Sequence, residues 1–285
     1  MKRAFPKLFV TDLDGTALGG GHQPYARFPD PFSRFLDRLA SRGCQWAIST
    51  TWDVGGQWQL VASSAVQSRP VLLMGEIGLR LARWGAEGPV MVQPYTKRME
   101  ARLYRTCESS LRPVIRQVCG RIRAQRALFY GHWFDFWPVK AERPAVRQLG
   151  RTLARRAADL SVSCAEDGSF FHAHPAWLGK GLSLKASLGL LKLTPDDVVV
   201  AGDHTPDLNM MAPELARHLI APGSAEASVR AHVAAHGGAV GRSGYGQGVV
   251  EAFDALARQR GWDWAGEGGS GRARRSEPRR TASPR

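Results

Sequence analysis

The sequence predicts an α/β protein with a mainly parallel sheet, interrupted by an inserted α+β domain. Three observations predict it. Short apolar runs alternate with helical stretches, the pattern that builds parallel β-α-β units. Several of those runs stop abruptly at polar residues, and between residues 88 and 175 long arginine-rich stretches replace them before the first pattern returns. The expected division is a core of residues 1–87 and 176–264, an insert of residues 88–175 that sets specificity, and a tail of residues 265–285.

The first run, Leu8-Phe9-Val10, ends in Thr11-Asp12-Leu13-Asp14-Gly15-Thr16. It reads as a buried strand whose carboxyl end delivers two carboxylates to the sheet edge, where open α/β sheets bind their ligands. Ordinary turn chemistry at Asp14-Gly15 is the plainer account of this stretch taken alone. After the loop Gly19-Gly20-Gly21, the residues Phe32, Phe35, Leu36 and Leu39 recur at helical spacing, predicting an amphipathic helix over 29–42 that stops at Gly43. Gln45-Trp46-Ala47-Ile48 is a second strand with Ser49-Thr50-Thr51 at its tip. A helix over 58–67, a third strand Pro70-Val71-Leu72-Leu73-Met74 and the alternating Leu79-Arg80-Leu81-Ala82-Arg83-Trp84 follow.

In the insert, residues 96–120 and 141–158 read as helices. Leu128-Phe129-Tyr130-Gly131-His132-Trp133-Phe134-Asp135-Phe136 between them reads as one aromatic strand. Two further strands, Leu160-Ser161-Val162-Ser163-Cys164 and Ser169-Phe170-Phe171-His172-Ala173-His174, flank the hairpin chemistry of Glu166-Asp167-Gly168. From Lys97 to Arg156 there are 15 Lys or Arg against 4 Asp or Glu, most of the chain's formal charge of +14. A solvated helix face accounts for this simply; an electropositive surface drawing in a phosphorylated substrate is the sharper reading. No stacking-aromatic motif accompanies the charge, which argues against nucleic acid as a partner.

The first pattern resumes with a helix over 180–193 and the strand Val198-Val199-Val200-Ala201, which stops at Gly202-Asp203-His204-Thr205-Pro206-Asp207. Asp207-Leu208-Asn209-Met210-Met211 begins a helix. Arg217-His218-Leu219-Ile220, a helix over 225–235, Ala239-Val240 and a helix over 248–258 complete the sheet, with Trp262 and Trp264 folding back onto it. The tail has almost no apolar side chains, so it cannot offset the entropy of ordering and is expected to be disordered.

Cys44, Cys107, Cys119 and Cys164 show neither zinc-site spacing nor the density of a disulfide framework. The first apolar run is too short for a signal-peptide core, and no stretch approaches the roughly 20 apolar residues of a membrane span. A cytoplasmic protein with reduced thiols and no membrane partner is the expectation.

If the polar strand tips lie side by side, Asp12, Asp14, Thr50 and Asp203 share one crevice with Lys180 at its rim. Hard carboxylate oxygens without Cys ligands suit Mg²⁺. A magnesium ion, a carboxylate nucleophile, a hydroxyl and a lysine make a phosphoryl-transfer site. His172 and His174 would share one strand face, but without a third ligand they read as cap histidines rather than a zinc site.

The ordered set Asp12-Leu13-Asp14-Gly15-Thr16, Thr50, Lys180-Gly181 and Gly202-Asp203 with Asp207 resembles the haloacid dehalogenase (HAD) superfamily of phosphohydrolases. The insert's position and content resemble the sugar-phosphatase branch with a large α/β cap, which includes sucrose-phosphate and mannosyl-3-phosphoglycerate phosphatases. The resemblance implies a Rossmann-like core with an inserted α+β cap. It also implies a Mg²⁺-dependent phosphatase that hydrolyses a small phosphorylated metabolite, a sugar phosphate, through an aspartyl-phosphate. By resemblance, Asp12 is the nucleophile and Asp14 the acid/base, with Thr50 and Lys180 completing the catalytic set. The metal would be held by Asp12, the backbone carbonyl of Asp14 and Asp203, with Asp207 holding a metal-bound water or assisting directly.

Two positions depart from that pattern. Thr51-Trp52 stands where the branch has Gly-Arg, removing a guanidinium and making Trp52 a candidate for the substrate wall. Pro206 stands where it has Asn before the last aspartate, removing an amide from the metal's surroundings. These departures keep open a non-catalytic protein binding a phospho-ligand or nucleic acid on the same fold. A phosphomutase shares the same covalent chemistry.

Overall fold

The computed structural model describes residues 4–19 and 25–264. Gly20, Gly21 and the expected tail of residues 265–285 lie outside them.

In chain order the first half is β1 (Leu8–Thr11), α1 (Asp30–Ser41), β2 (Gln45–Ser49), α2 (Val54–Ala62), β3 (Leu72–Gly75), β4 (Arg80–Arg83) and β5 (Val90–Met91). Next come α3 (Gln93–Thr106), α4 (Arg112–Cys119), β6 (Ala124–Phe129), β7 (Phe134–Pro138), α5 (Arg143–Arg156), β8 (Leu160–Cys164) and β9 (Phe171–Pro175). The chain returns with α6 (Lys180–Leu191), β10 (Val198–Ala201), β11 (His218–Ala221), α7 (Ala227–Ala235), β12 (Ala239–Val240) and α8 (Tyr245–Arg260). An eight-stranded sheet has the order β12-β11-β10-β1-β2-β3-β4-β5, and a separate four-stranded sheet the order β6-β7-β9-β8.

From β12 to β3 every pairing in the larger sheet is parallel, and β1 lies at its centre between β2 and β10. Strands covered on both faces must be apolar nearly throughout, which is why these read as continuous runs. Alternate residues point to opposite faces. Phe9, Trp46, Ile48, Leu73 and Val199 pack with Phe32, Phe35 and Leu36 of α1 and Phe253 of α8. Leu8, Val10, Leu72, Met74, Val198 and Val200 pack on the other face with Leu184 of α6 and Val229 of α7. Trp262 and Trp264 do return to the core, with Trp264 stacked on Phe5 at 5.8 Å and under the Arg38 guanidinium at 3.7 Å.

The smaller sheet is antiparallel and carries one face against α4 and α5, through Phe134, Phe136, Phe171, Val114, Val146 and Leu153. Several local expectations change. The aromatic run 128–136 is a hairpin rather than one strand, because Gly131 at φ +79° lets Tyr130 N–H donate to Trp133 O at 3.0 Å. The expected helix over 96–120 contains a π turn at Cys107–Leu111, where Pro113 lacks the N–H that an unbroken ladder requires. β4 and β5 run antiparallel, and β5 pairs with the larger sheet although it falls in the span expected for the insert. Thr205–Asn209 forms a 3₁₀ turn in place of a helix start. All four cysteines are free thiols, and among the described residues no helix is long and apolar enough to cross a membrane.

Candidate active site

Parallel pairing sets the site. Thr11 of β1 lies opposite Ala201 of β10, so the next residues, Asp12 and Gly202-Asp203, leave the sheet side by side, with Asp12 N–H donating to Ala201 O at 3.1 Å. α6 begins with Lys180, whose side chain enters the same crevice. Asp12, Asp203 and Asp207 are 4%, 3% and 0% exposed, and Lys180 is 5% exposed. Three carboxylates thus share a buried space with one ammonium, and an oxygen from each lies within 4.8 Å of the others.

Lys180 Nζ donates to Asp12 Oδ1 at 2.6 Å and to Asp207 Oδ1 at 2.5 Å. The other Asp207 oxygen accepts from the Asp203 and His204 amides at 2.9 and 3.1 Å, so this residue also builds the turn. Asp203 accepts from the Thr16 hydroxyl at 2.6 Å and pairs with His204 Nδ1 at 2.6 Å. Burial pushes the Asp12 carboxyl up to about 7; the Lys180 ammonium opposes that rise and the Asp207 carboxylate adds to it. For Lys180 burial acts downward, but Asp12 and Asp207 outweigh it and hold the ammonium above its ordinary value. Burial likewise raises Asp203, against its hydrogen bonds from Thr16 and His204.

The excess of buried carboxylate over ammonium, all of it hard oxygen, fits a divalent cation of the magnesium class. Asp12 and Asp203 are the side chains that would hold it. Asp14 lies outside this group: its Oδ2 accepts from Trp52 Nε1 at 2.6 Å. Thr50 is buried at the tip of β2, but among the described residues its hydroxyl accepts from the Trp52 amide at 3.5 Å and makes no hydrogen bond to the carboxylates. The structure therefore brings together Asp12, Lys180, Asp203 and Asp207, and holds Asp14 and Thr50 through the Trp52 segment. His172 and His174 do share a face of the smaller sheet, 5.2 Å apart, but their Nδ1 atoms engage Asp135 and the Pro175 carbonyl.

Sequence reasoning missed the bond from Trp52 to Asp14, the buttressing of Asp203 by Thr16 and His204, and Asn209, whose Oδ1 accepts from Gly181 N–H at 2.8 Å where α6 begins. Thr16 and His204 were visible as neighbours of acidic tips; Asn209 carried no local signal. Gly15 has φ +84°, and a Cβ there would lie 2.1 Å from Asp203 Oδ2. Gly15→Ala is expected to cost roughly 1–3 kcal/mol of stability by strain and displacement of Asp203, measurable as a lowered urea midpoint.

Solved structures with the same layout include a sucrose-phosphatase from Synechocystis in complex with sucrose and phosphate. It is 16% identical, with a TM-score of 0.59 over 89% of this chain and 98% of that one. The chain has the haloacid dehalogenase fold with an α/β cap. A haloacid dehalogenase-like hydrolase from Bacteroides thetaiotaomicron superposes with a TM-score of 0.51 at 17% identity, over 80% of this chain and 92% of its own. A HAD-superfamily phosphatase from the same organism gives 0.52 at 16% identity, over 80% of this chain and 87% of its own. No protein-family model and no curated protein matches the sequence. The four-stranded sheet packs with α4 and α5 as a unit apart from the larger sheet, whereas Tyr95 and Met99 of α3 are buried against the larger sheet.

Proposed function

We propose that the protein is a Mg²⁺-dependent phosphomonoesterase that hydrolyses a small phosphorylated metabolite, a sugar phosphate, through an aspartyl-phosphate. The observation that carries this is the Lys180 ammonium bridging Asp12 and Asp207 beside Asp203 at the tips of adjacent parallel strands. Asp12 is the nucleophile, oriented by Lys180, which also offsets charge on the phosphoryl oxygens. Asp14, held by the Trp52 indole, gives its proton to the leaving oxygen and later takes one from the attacking water. Thr50 supplies a hydroxyl at the tip of β2. A bound magnesium ion supplies charge neutralisation at phosphorus. The sugar-phosphate reading is supported by the shared fold of the Synechocystis enzyme, solved with sucrose and phosphate.

Chelator treatment is expected to abolish phosphate release from a panel of phosphate esters, and added Mg²⁺ to restore it. Undiminished release in excess chelator would contradict the proposal.

A further inference from the structure

We propose that Trp52 is a positioning residue for proton transfer: its indole holds Oδ2 of Asp14, so that Oδ1 is the oxygen that passes a proton to the leaving group. This rests on the phosphatase reading above. Trp52 Nε1 donates to Asp14 Oδ2 at 2.6 Å, and among the described residues this is the one hydrogen bond the Asp14 carboxylate makes. Both residues are half-buried, Asp14 just past β1 and Trp52 just past β2, so the bond joins the tips of two paired strands. Asp12, Asp203 and Asp207 are oriented by Lys180, the Thr16 hydroxyl and backbone amides, none of which reaches Asp14. Its orientation depends on Trp52.

An indole N–H can only donate. The carbonyl oxygen of a carboxylic acid accepts better than its hydroxyl oxygen, so a donor fixed on Oδ2 places the acid's proton on Oδ1. The same bond removes the side-chain rotation that would otherwise spread the carboxyl over several rotamers. Proton transfer in a transition state gains from that loss of freedom, because the acid no longer has to be oriented as the bond to phosphorus breaks.

Trp52 is itself held firmly. Its carbonyl accepts from Glu76 N–H at 3.0 Å and from Gln57 Nε2 at 3.1 Å. Gln57 is fully buried, and the same amide nitrogen donates to Met74 O at 3.3 Å, which ties the Trp52 carbonyl to the tip of β3. Glu76 and Ile77 have φ of +52° and +54°, uncommon for residues other than glycine. The N–H groups of that strained turn reach Trp52 O and, at 3.2 Å, Thr50 O. Next in the chain, Asp53 accepts from Gly56 N–H at 2.8 Å and caps α2. A Cβ on Gly75 would lie 2.8 Å from Trp52 O and 2.9 Å from Gln57 Nε2, so the segment has no slack. A ring that only lined a substrate wall gains little from so fixed a carbonyl; a ring that aims one N–H at one oxygen depends on it.

The test compares kcat/KM of the full chain with Mg²⁺ on phenyl phosphate and p-nitrophenyl phosphate, which share a ring and differ in how far the departing oxygen needs a proton. kcat/KM reports the steps up to that departure, before the water attack in which Asp14 acts again. Trp52→Phe, which keeps a ring and loses the donor, is expected to lower the phenyl ester by at least about tenfold more than the p-nitrophenyl ester. Gln57→Met, which keeps the buried volume and loses the amide, is expected to act in the same order. In an Asp14→Asn background, Trp52→Phe is expected to change kcat/KM by less than about twofold on any ester the wild type hydrolyses, because the two residues act as one unit. Equal losses on both aryl esters, no loss on either, or additive effects of Trp52→Phe and Asp14→Asn would overturn the positioning role. If Trp52→Phe loses the native circular dichroism, Gln57→Met decides by the same comparisons. Absence of wild-type turnover on every ester of the panel would overturn the phosphatase reading itself.

Discussion

Lys180→Met is expected to destabilise the chelator-treated protein by roughly 3–5 kcal/mol, the usual cost of removing one partner from a buried ionic group. Asp12 and Asp207 would then face each other and Asp203 in the crevice with no ammonium among them. The methionine fills the channel occupied by the lysine stem, so the loss reports charge rather than a cavity. Added Mg²⁺ is expected to recover part of it, because a cation that binds only the folded carboxylates stabilises by mass action. Urea denaturation with and without Mg²⁺ measures both effects. A loss below about 1 kcal/mol, typical of exposed pairs, would contradict the buried pairing.

Asp12→Asn is expected to lower kcat by at least about 10³-fold on every ester the wild type hydrolyses, since an amide cannot form the covalent intermediate. The replacement is nearly isosteric and removes one of three crowded negative charges, so the fold is expected to persist. Equal circular dichroism with lost phosphate release is the result that separates chemistry from folding. By contrast, Thr50→Val would touch a hydroxyl that makes no hydrogen bond to the acidic cluster, and its effect is expected to be smaller.

The α/β layout was legible because strands covered on both faces must be apolar almost throughout, as Val198-Val199-Val200-Ala201 is, and because each stops where the chain meets the crevice. Adjacency of Asp12 and Asp203 was not contained in either stretch alone. It follows from β1 pairing with β10 across the whole insert, and the repeated polar tips suggested it only on the condition that their strands lie side by side. Lys180 had the same standing: a basic residue at a helix start, without local distinction until its two carboxylate partners are in place. The cap hairpin was hidden because aromatic residues continue through its turn, where Gly131 is the sole interruption between Tyr130 and His132. Trp52 was marked as a departure, but its bond to Asp14 joins the tips of two strands and leaves no periodic trace.

Trapping the covalent intermediate bears hardest on the role given to Asp12. Quenching the enzyme during turnover and reducing it with borohydride converts an acyl phosphate at aspartate to homoserine, which peptide mass spectrometry locates. Homoserine at position 12, dependent on both substrate and Mg²⁺ and missing in the Asp12→Asn variant, is the predicted result. Sustained phosphate release with position 12 unmodified, or with the label on another carboxylate, would contradict it.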